Sequence, residues 1–336
     1  MKKNLQYDIV AFFAIFVFTI IFLFLFWNLP IHEDNGYYAF LSKAIASGAI
    51  LHVDIPAQTN GIMLYFIAFV FKFTGSNIYA YKIVHLFFHF GLGIIIYLLL
   101  KSRVDWLYSL ITSLLILLFL GLPSIAFDLG RNPIEIALFF VLLGLYFIDR
   151  WNNFFLFAFF LGLASLVRET FLIVPLITLL VLVRSYFISD SKLVYNFIFG
   201  LAVALSINAV ILTYYNSWSG YLFDMLHSGS NFRYKDGFFS LVRLLGNLKM
   251  LIFGYGNYPL PTYLPSIAIG AFSYFLVFKD KTINYLKILF LIFVFEVIVI
   301  NKTADYSILP LVLIGTILSV LTIKQLIRKY PSYVRG

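Results

Sequence analysis

Apolar residues run along this chain in blocks of about 16 to 22, each closed by a short charged or polar stretch. A helix of that length rises about 24 to 33 Å at roughly 1.5 Å per residue, enough for the roughly 30 Å hydrocarbon core of a bilayer. Ten such blocks predict spans over 9–28, 79–100, 107–122, 134–148, 153–167, 170–186, 194–214, 263–278, 285–300 and 306–323. The expected fold class is therefore all-α: a polytopic transmembrane bundle of about ten spans, with 1–336 as a single membrane domain. Residues 61–73 are apolar too, but the run is shorter and Lys72 interrupts it, which predicts a helix lying along the interface. The first block follows Met1-Lys2-Lys3. It is too long for a signal-peptide core and lacks a small-residue cleavage site, so it reads as a retained anchor.

Two segments exceed what a connector needs, 30–78 and 215–262; loops beyond about 15 residues are usually functional or disordered. The first holds a helix-like stretch, Gly36–Ser47, in which Tyr37, Phe40, Leu41, Ala44 and Ile45 share a face and Lys43 turns to water. The second is rich in Gly, Tyr and Asn and carries Asp224, His227, Arg233, Lys235 and Asp236.

Composition agrees with this pattern. Hydrophobic residues make up 62% of the 336 positions and charged residues 12%, whereas a soluble domain is roughly half apolar and a quarter charged. The formal net charge of +9 invites a nucleic-acid partner, but the basic residues cluster at segment ends and form no stripe for a phosphate backbone. With the N-terminus inside, the cytoplasmic segments hold Lys2, Lys3, Lys101, Arg103, Arg150, Arg184, Lys192, Lys279, Lys281, Lys287, Lys324, Arg328, Lys329 and Arg335, fourteen of the 24 basic residues. Five acids lie inside (Asp8, Asp105, Asp149, Asp190 and Asp280), leaving nine net positive charges there and none outside. The positive-inside rule thus predicts a multi-pass protein with both termini cytoplasmic. There are no cysteines, which excludes disulfides, thiolate metal sites and cysteine nucleophiles.

An ionised side chain at mid-bilayer costs on the order of 3 kcal/mol, and the ionisable groups crowd the outer rim instead. They are His32, Glu33, Asp34, His52, Asp54, Asp128, Arg131, Glu135, Arg168, Glu169 and Glu296, from six outward ends of the chain. If those ends converge, they form a polar pocket at the outer leaflet. Bland roles compete at each position. Asp34 or Asn35 would cap a helix, Asp54 would begin a turn before Pro56, and Asp128 and Arg131 would pair across a loop. Arg168 and Glu169 would anchor at the interface, while Glu135 and Glu296 would bond within the bundle. His85 and His89, four apart, read as a metal pair or, without nearby carboxylates, as packed side chains. Arg233 and Lys235 would bind lipid phosphates.

The first outward segment reads Glu33-Asp34…Tyr37-Tyr38, Gly48, His52-Val53-Asp54, Pro56, then Leu64-Tyr65…Phe73-Thr74-Gly75. It enters the next span through Phe73–Lys82, and a later outward end reads Gly162-Leu-Ala-Ser-Leu-Val-Arg168-Glu169-Thr170. Over roughly the first 185 residues this order resembles the integral membrane glycosyltransferases of the GT-C superfamily, among them the protein O-mannosyltransferases and bacterial lipid A aminoarabinose transferases. The chain departs from that pattern at Asn35, where the family commonly has Glu, and at His52, which replaces a Tyr nearer the Asp. The resemblance implies a sugar donor on a polyprenyl phosphate, a glycan, lipid or protein acceptor, and inversion at the anomeric carbon. Asp34, beside Glu33, would be the general base, help worth roughly 10²–10⁴-fold. Arg168 and Arg131 would grip the leaving phosphate, as a guanidinium does bidentately. His52, Asp54, Asp128, Glu169 and Tyr38 would complete the substrate site. The resemblance fixes no cofactor; a divalent metal on Glu33, Asp34 and Asp128 stays open.

Two other classes fit the same topology. A surface-polysaccharide polymerase or ligase with a lipid-pyrophosphate donor would use arginine-rich outward loops, and this chain is richest in first-loop carboxylates. A transporter or flippase would place its site near the midplane on broken helices. Depth separates the classes: a rim site marks an enzyme, a midplane site a carrier.

Overall fold

The computed structural model describes residues 2–28, 33–57, 59–121, 133–186, 191–233, 270–273, 280–295 and 309–329. The chain opens with α1 (Lys2–Phe26), α2 (Glu33–Ala46), α3 (Ile62–Thr74), α4 (Ile78–Lys101) and α5 (Trp106–Gly121). It continues with α6 (Ile134–Trp151), α7 (Phe154–Val167), a 3-10 turn (Glu169–Leu172), α8 (Ile173–Tyr186), α9 (Ser191–Tyr214) and α10 (Trp218–Arg233). Then come α11 (Lys281–Phe295) and α12 (Leu309–Lys329). Among the described residues there is no strand, only one isolated bridge between Leu51 and Ile55.

Among the described residues, four helices are long and apolar enough to cross a membrane: Leu5–Leu25, Ile78–Lys101, Ser191–Tyr214 and Pro310–Arg328. Five apolar helices are shorter: Ile62–Thr74, Trp106–Leu118, Phe154–Val167, Glu169–Val183 and Thr282–Phe295. Ten full-length blocks are thus more than the described helices supply, and of the block at 263–278 only 270–273 are described. The shortening has local causes. Asn152 takes a left-handed conformation that ends α6, and the Asn153 side chain accepts the Leu156 amide at 2.9 Å to start α7, both common uses of Asn. Arg168 is extended and ends α7 fourteen residues later.

The two helices expected in the first outward segment are present as α2 and α3. Gly75, at φ 82, ends α3. Asn77 accepts the Ala80 amide at 2.8 Å and so caps α4. Two expectations for α2 need correction. The helix begins at Glu33, so Asp34 and Asn35 lie in its first turn rather than capping it. The buried stripe is Leu41, Ser42 and Ile45, while Tyr37 and Phe40 of the expected apolar face are exposed. Packing on α3 needs only a narrow contact line, and that line selects Leu41 and Ile45.

The chain forms two compact units, one from residues 1–20, 93–125 and 239–336, the other from 21–92 and 126–238. In the first, Gly93 leaves room for Leu117 and Ile15, and Gly270 for Phe290 and Gly315. Its polar ties are ion pairs and hydrogen bonds near helix ends. Lys101 and Tyr97 reach Asp8 at 2.5 and 2.8 Å. Arg103 forks onto Asp280 at 2.8 and 3.1 Å, and Lys324 meets Asp105 at 3.3 Å.

In the second unit α7 is the central element, with Phe157, Ala158, Leu161 and Ala164 at most 1% exposed. Its neighbours approach through glycine notches. A Cβ on Gly144 of α6 would touch the Phe157 carbonyl at 3.0 Å, and one on Gly162 would meet Ala204 of α9 at 2.5 Å. A Cβ on Gly200 of α9 would collide with the Phe155 backbone. Small residues allow this close approach where apolar burial cannot drive helices together.

Asp280 sets a pH-dependent term in the first unit. Burial pushes its carboxyl up, but the Arg103 guanidinium and the amides of Ile283 and Thr282 outweigh that and hold it below the usual carboxylate range. A carboxyl lowered on folding stabilises above its ordinary value of about 4, and that stability is lost as pH falls through the lowered value. Asp280→Asn, which keeps the cap but not the charge, should cost about 1 kcal/mol at neutral pH, because the pair is partly exposed. In thermal melts the deficit should shrink as pH falls below about 4 and close once pH is below the lowered value; a gap independent of pH would contradict this account.

Candidate functional site

The polar residues of the second unit meet where three distant stretches of chain converge: the 50–60 turn, the break at 168–172 and the start of α10. The turn is tightly made. Asp54 accepts the Ile50 amide at 2.8 Å, its own amide returns to the Ile50 carbonyl at 2.9 Å, and the His52 amide donates to Ile55 at 2.8 Å. This folds His52 into the left-handed region at φ 65. Asp54 is thus exposed and spends its carboxylate on the turn.

His52 Nδ1 lies 2.8 Å from Asp224 Oδ2, with the two side chains 1% and 11% exposed. The same oxygen accepts the Ala57 amide at 3.0 Å. Gly220 makes the approach feasible, since a Cβ there would collide with the His52 carbonyl. The Tyr221 ring stands edge-on to the imidazole, with centroids 5.2 Å apart.

A second set of bonds adjoins the first. The Tyr221 hydroxyl donates to Asn60 Oδ1 at 2.8 Å, and the Asn60 amide donates to Glu169 Oε1 at 2.8 Å. The Asn60 side-chain nitrogen reaches the Ser165 carbonyl at 3.3 Å. Burial, with the Glu169 charge, pushes the Tyr221 hydroxyl up, so it remains a donor. Beside it Tyr65 stacks on Tyr215 at 5.6 Å, and burial pushes the Tyr65 hydroxyl up to about 12. Arg168 is half-buried, its Nε 3.3 Å from the Thr170 hydroxyl. Tyr38 is half-buried, with its ring edge against Tyr37.

Of the residues singled out from sequence, His52 and Glu169 therefore sit in two adjoining sets of bonds, Asp54 is spent on the turn that carries His52, and Arg168 is next to Glu169 in the chain. Glu33 and Asp34 occupy the first turn of α2, but their side chains lie outside the described set, as do His32, Asp128, Arg131 and Glu296 entirely. Asp224, Asn60, Tyr221 and Ser165 are the cluster members that motif reading misses. Lys82, 2% exposed, lies apart from this cluster, its ammonium donating to the Trp27 carbonyl at 2.8 Å.

A separate buried pair joins α4 to α6. His89 Nδ1 bonds Glu135, and Phe22 stacks on the His89 ring at 5.5 Å. His85, fully buried beside Tyr81, has no hydrogen-bond partner for either ring nitrogen among the described residues. No three His, Cys, Asp or Glu side chains among the described residues are grouped to hold a metal.

These features define a helical protein with membrane-length helices and a bonded polar cluster in its second unit. Neither a known family model nor a curated protein sequence matches the chain.

Gly220→Ala tests the close approach. Alanine normally favours a helix over glycine by about 1 kcal/mol, yet here the new methyl meets backbone. Thermal melts should show a net loss of about 1–3 kcal/mol, and a stabilised variant would show that the His52 turn and α10 are further apart than described.

Proposed function

We propose that this chain is a membrane glycosyltransferase that moves a sugar from a polyprenyl-phosphate donor to an acceptor at the outer face of the membrane. The observation that carries the reading is the cluster itself: residues from the first outward segment (His52, Ala57 and Asn60) are hydrogen-bonded to Glu169 and to Asp224 and Tyr221. These are stretches that the charge distribution puts on one face of the membrane. A site at the chain's outward ends suits an enzyme better than a midplane carrier.

In this reading about ten segments cross or enter the bilayer, both termini are cytoplasmic, and the donor's tail lies along apolar helix faces. Arg168 supplies positive charge to the departing phosphate, where charge builds in the transition state. The acceptor's proton goes to a base of the first outward segment. Asp34 is the carboxylate that the family resemblance puts in that role. The acceptor remains a glycan, lipid or protein.

Purified protein incubated with radiolabelled polyprenyl-phosphate sugars and membrane acceptors should transfer label. Asp34→Asn and Arg168→Ala should each cut transfer about 10²-fold or more while expression and folding persist. Undiminished turnover in Asp34→Asn would remove that residue from the mechanism, and absence of transfer from every such donor would remove the reaction class.

The orientation is tested separately, because a chain without cysteine accepts single reporters cleanly. Cysteines at Asp54 and Asp236 should react with a membrane-impermeant maleimide on intact cells, and one at Lys324 only after lysis. The reverse pattern would overturn the topology.

A further inference from the structure

The first turns of α10 are built inside out. A helix in water turns its apolar stripe to the core and its polar residues to solvent. Here the side that meets the protein is the polar one. Gly220 passes under the His52 carbonyl, Tyr221 donates to Asn60, and Asp224 accepts from His52 and the Ala57 amide. At roughly 100° per residue, Trp218, Leu222 and Phe223 stand on the other side, and they are 41%, 52% and 60% exposed. Ser219 is the one polar residue exposed between 218 and 225. In water this arrangement would group large apolar side chains at the surface while withdrawing polar atoms from solvent, and both are unfavourable.

The preceding helix sets the depth. α9 is long and apolar enough to cross a membrane, and its apolar side chains Phe199, Val210 and Tyr214 are exposed. A short turn follows, with Asn216 left-handed at φ 50 and the Ser217 amide donating to the Leu212 carbonyl at 2.9 Å. The Trp218 indole N–H then reaches back to the Thr213 hydroxyl, in the last turn of α9, at 3.0 Å. Trp218 is therefore level with the end of a membrane-length helix. Trp and Tyr concentrate at that depth because each has an apolar ring and a polar tip.

The helix's direction follows from its length and charges. Its 16 residues rise about 24 Å, short of the roughly 30 Å hydrocarbon core, and Asp224, His227 and Arg233 lie along it. It does not cross. Standing out into water would strand Leu222 and Phe223 a full turn beyond the boundary. Lying along the boundary gives the apolar side lipid and keeps the polar side against the protein.

We infer that the Trp218, Leu222 and Phe223 side of α10 is a membrane-docking surface, seated among acyl chains just below the lipid headgroups. The occupant is the bilayer, because this surface continues the exposed apolar face of α9. The same helix carries Tyr221 and Asp224, so the docked face holds the polar cluster at the bilayer boundary. This inference does not depend on the transferase reading.

Two measurements on full-length protein in phosphatidylcholine vesicles test it. The chain has no cysteine, so Leu222→Cys and Phe223→Cys each take a single nitroxide label. Those labels should collide with oxygen several-fold more than with a water-soluble nickel chelate, as should one at Val210→Cys on α9. A label at Asp105→Cys, where the side chain is 72% exposed, should show the reverse preference. Nickel access at 222 and 223 like that at 105 would overturn the docking surface. Shielding from both reagents would overturn it too, by showing that a second copy or another segment covers the face. In the second measurement, the fluorescence lost in Trp218→Phe should be quenched more by lipids brominated high on the acyl chain than by lipids brominated near its end. No quenching, or stronger quenching near the chain end, would overturn the boundary depth.

Discussion

One carboxylate oxygen, Asp224 Oδ2, accepts both the imidazole of His52 and the backbone amide of Ala57, and much of the second unit's polar architecture follows from it. In a chain with 12% charged residues, polar partners are scarce and apolar burial sets helix faces without setting loops. A buried donor left unmatched is expensive, so each matched pair has few alternatives. The 50–57 turn is thereby held against the start of α10, and the Asn60 bonds to Glu169 and Tyr221 extend the same tie to the break after α7.

The contrast with the first unit is one of purpose. Its ion pairs, Lys101 with Asp8 and Arg103 with Asp280, are complete: each cation is met by a carboxylate, and Asp280 also receives two amides at the start of α11. The second unit leaves ring nitrogens of His52, His85 and His89 buried and unmet among its described residues. Complete pairs hold helices in place.

Much of the helical layout was legible from residue order. Hydropathy located α1, α4, α9 and α12, while Gly75 and Asn77, which end α3 and cap α4, act only on backbone within a few residues of themselves. The shorter helices were legible as well, since the blocks 134–148, 153–167 and 170–186 divide close to the breaks that Asn152, Asn153 and Arg168 make. The cluster was only half visible. His52 and Glu169 stood out as ionisable groups at outward ends, but nothing in the chain's periodicity links His52 to a residue 172 positions away or Asn60 to one 161 away. Gly220 looked like loop glycine, and only the backbone facing it explains why it lacks a side chain. His89 was expected to pack because its own span carries no carboxylate, and Glu135, expected to bond within the bundle, reaches it from another helix.

The two units are nested, and that has a consequence for biogenesis. All segments of the second unit lie between residues 21 and 238, whereas the first needs 1–20, 93–125 and the stretch from 239 onward. A ribosome making this chain therefore releases every piece of the inner unit before the outer one can close, and Arg103 waits 177 residues for Asp280 to be synthesised. Until then the amino-terminal segments must be shielded by lipid or by the insertion machinery.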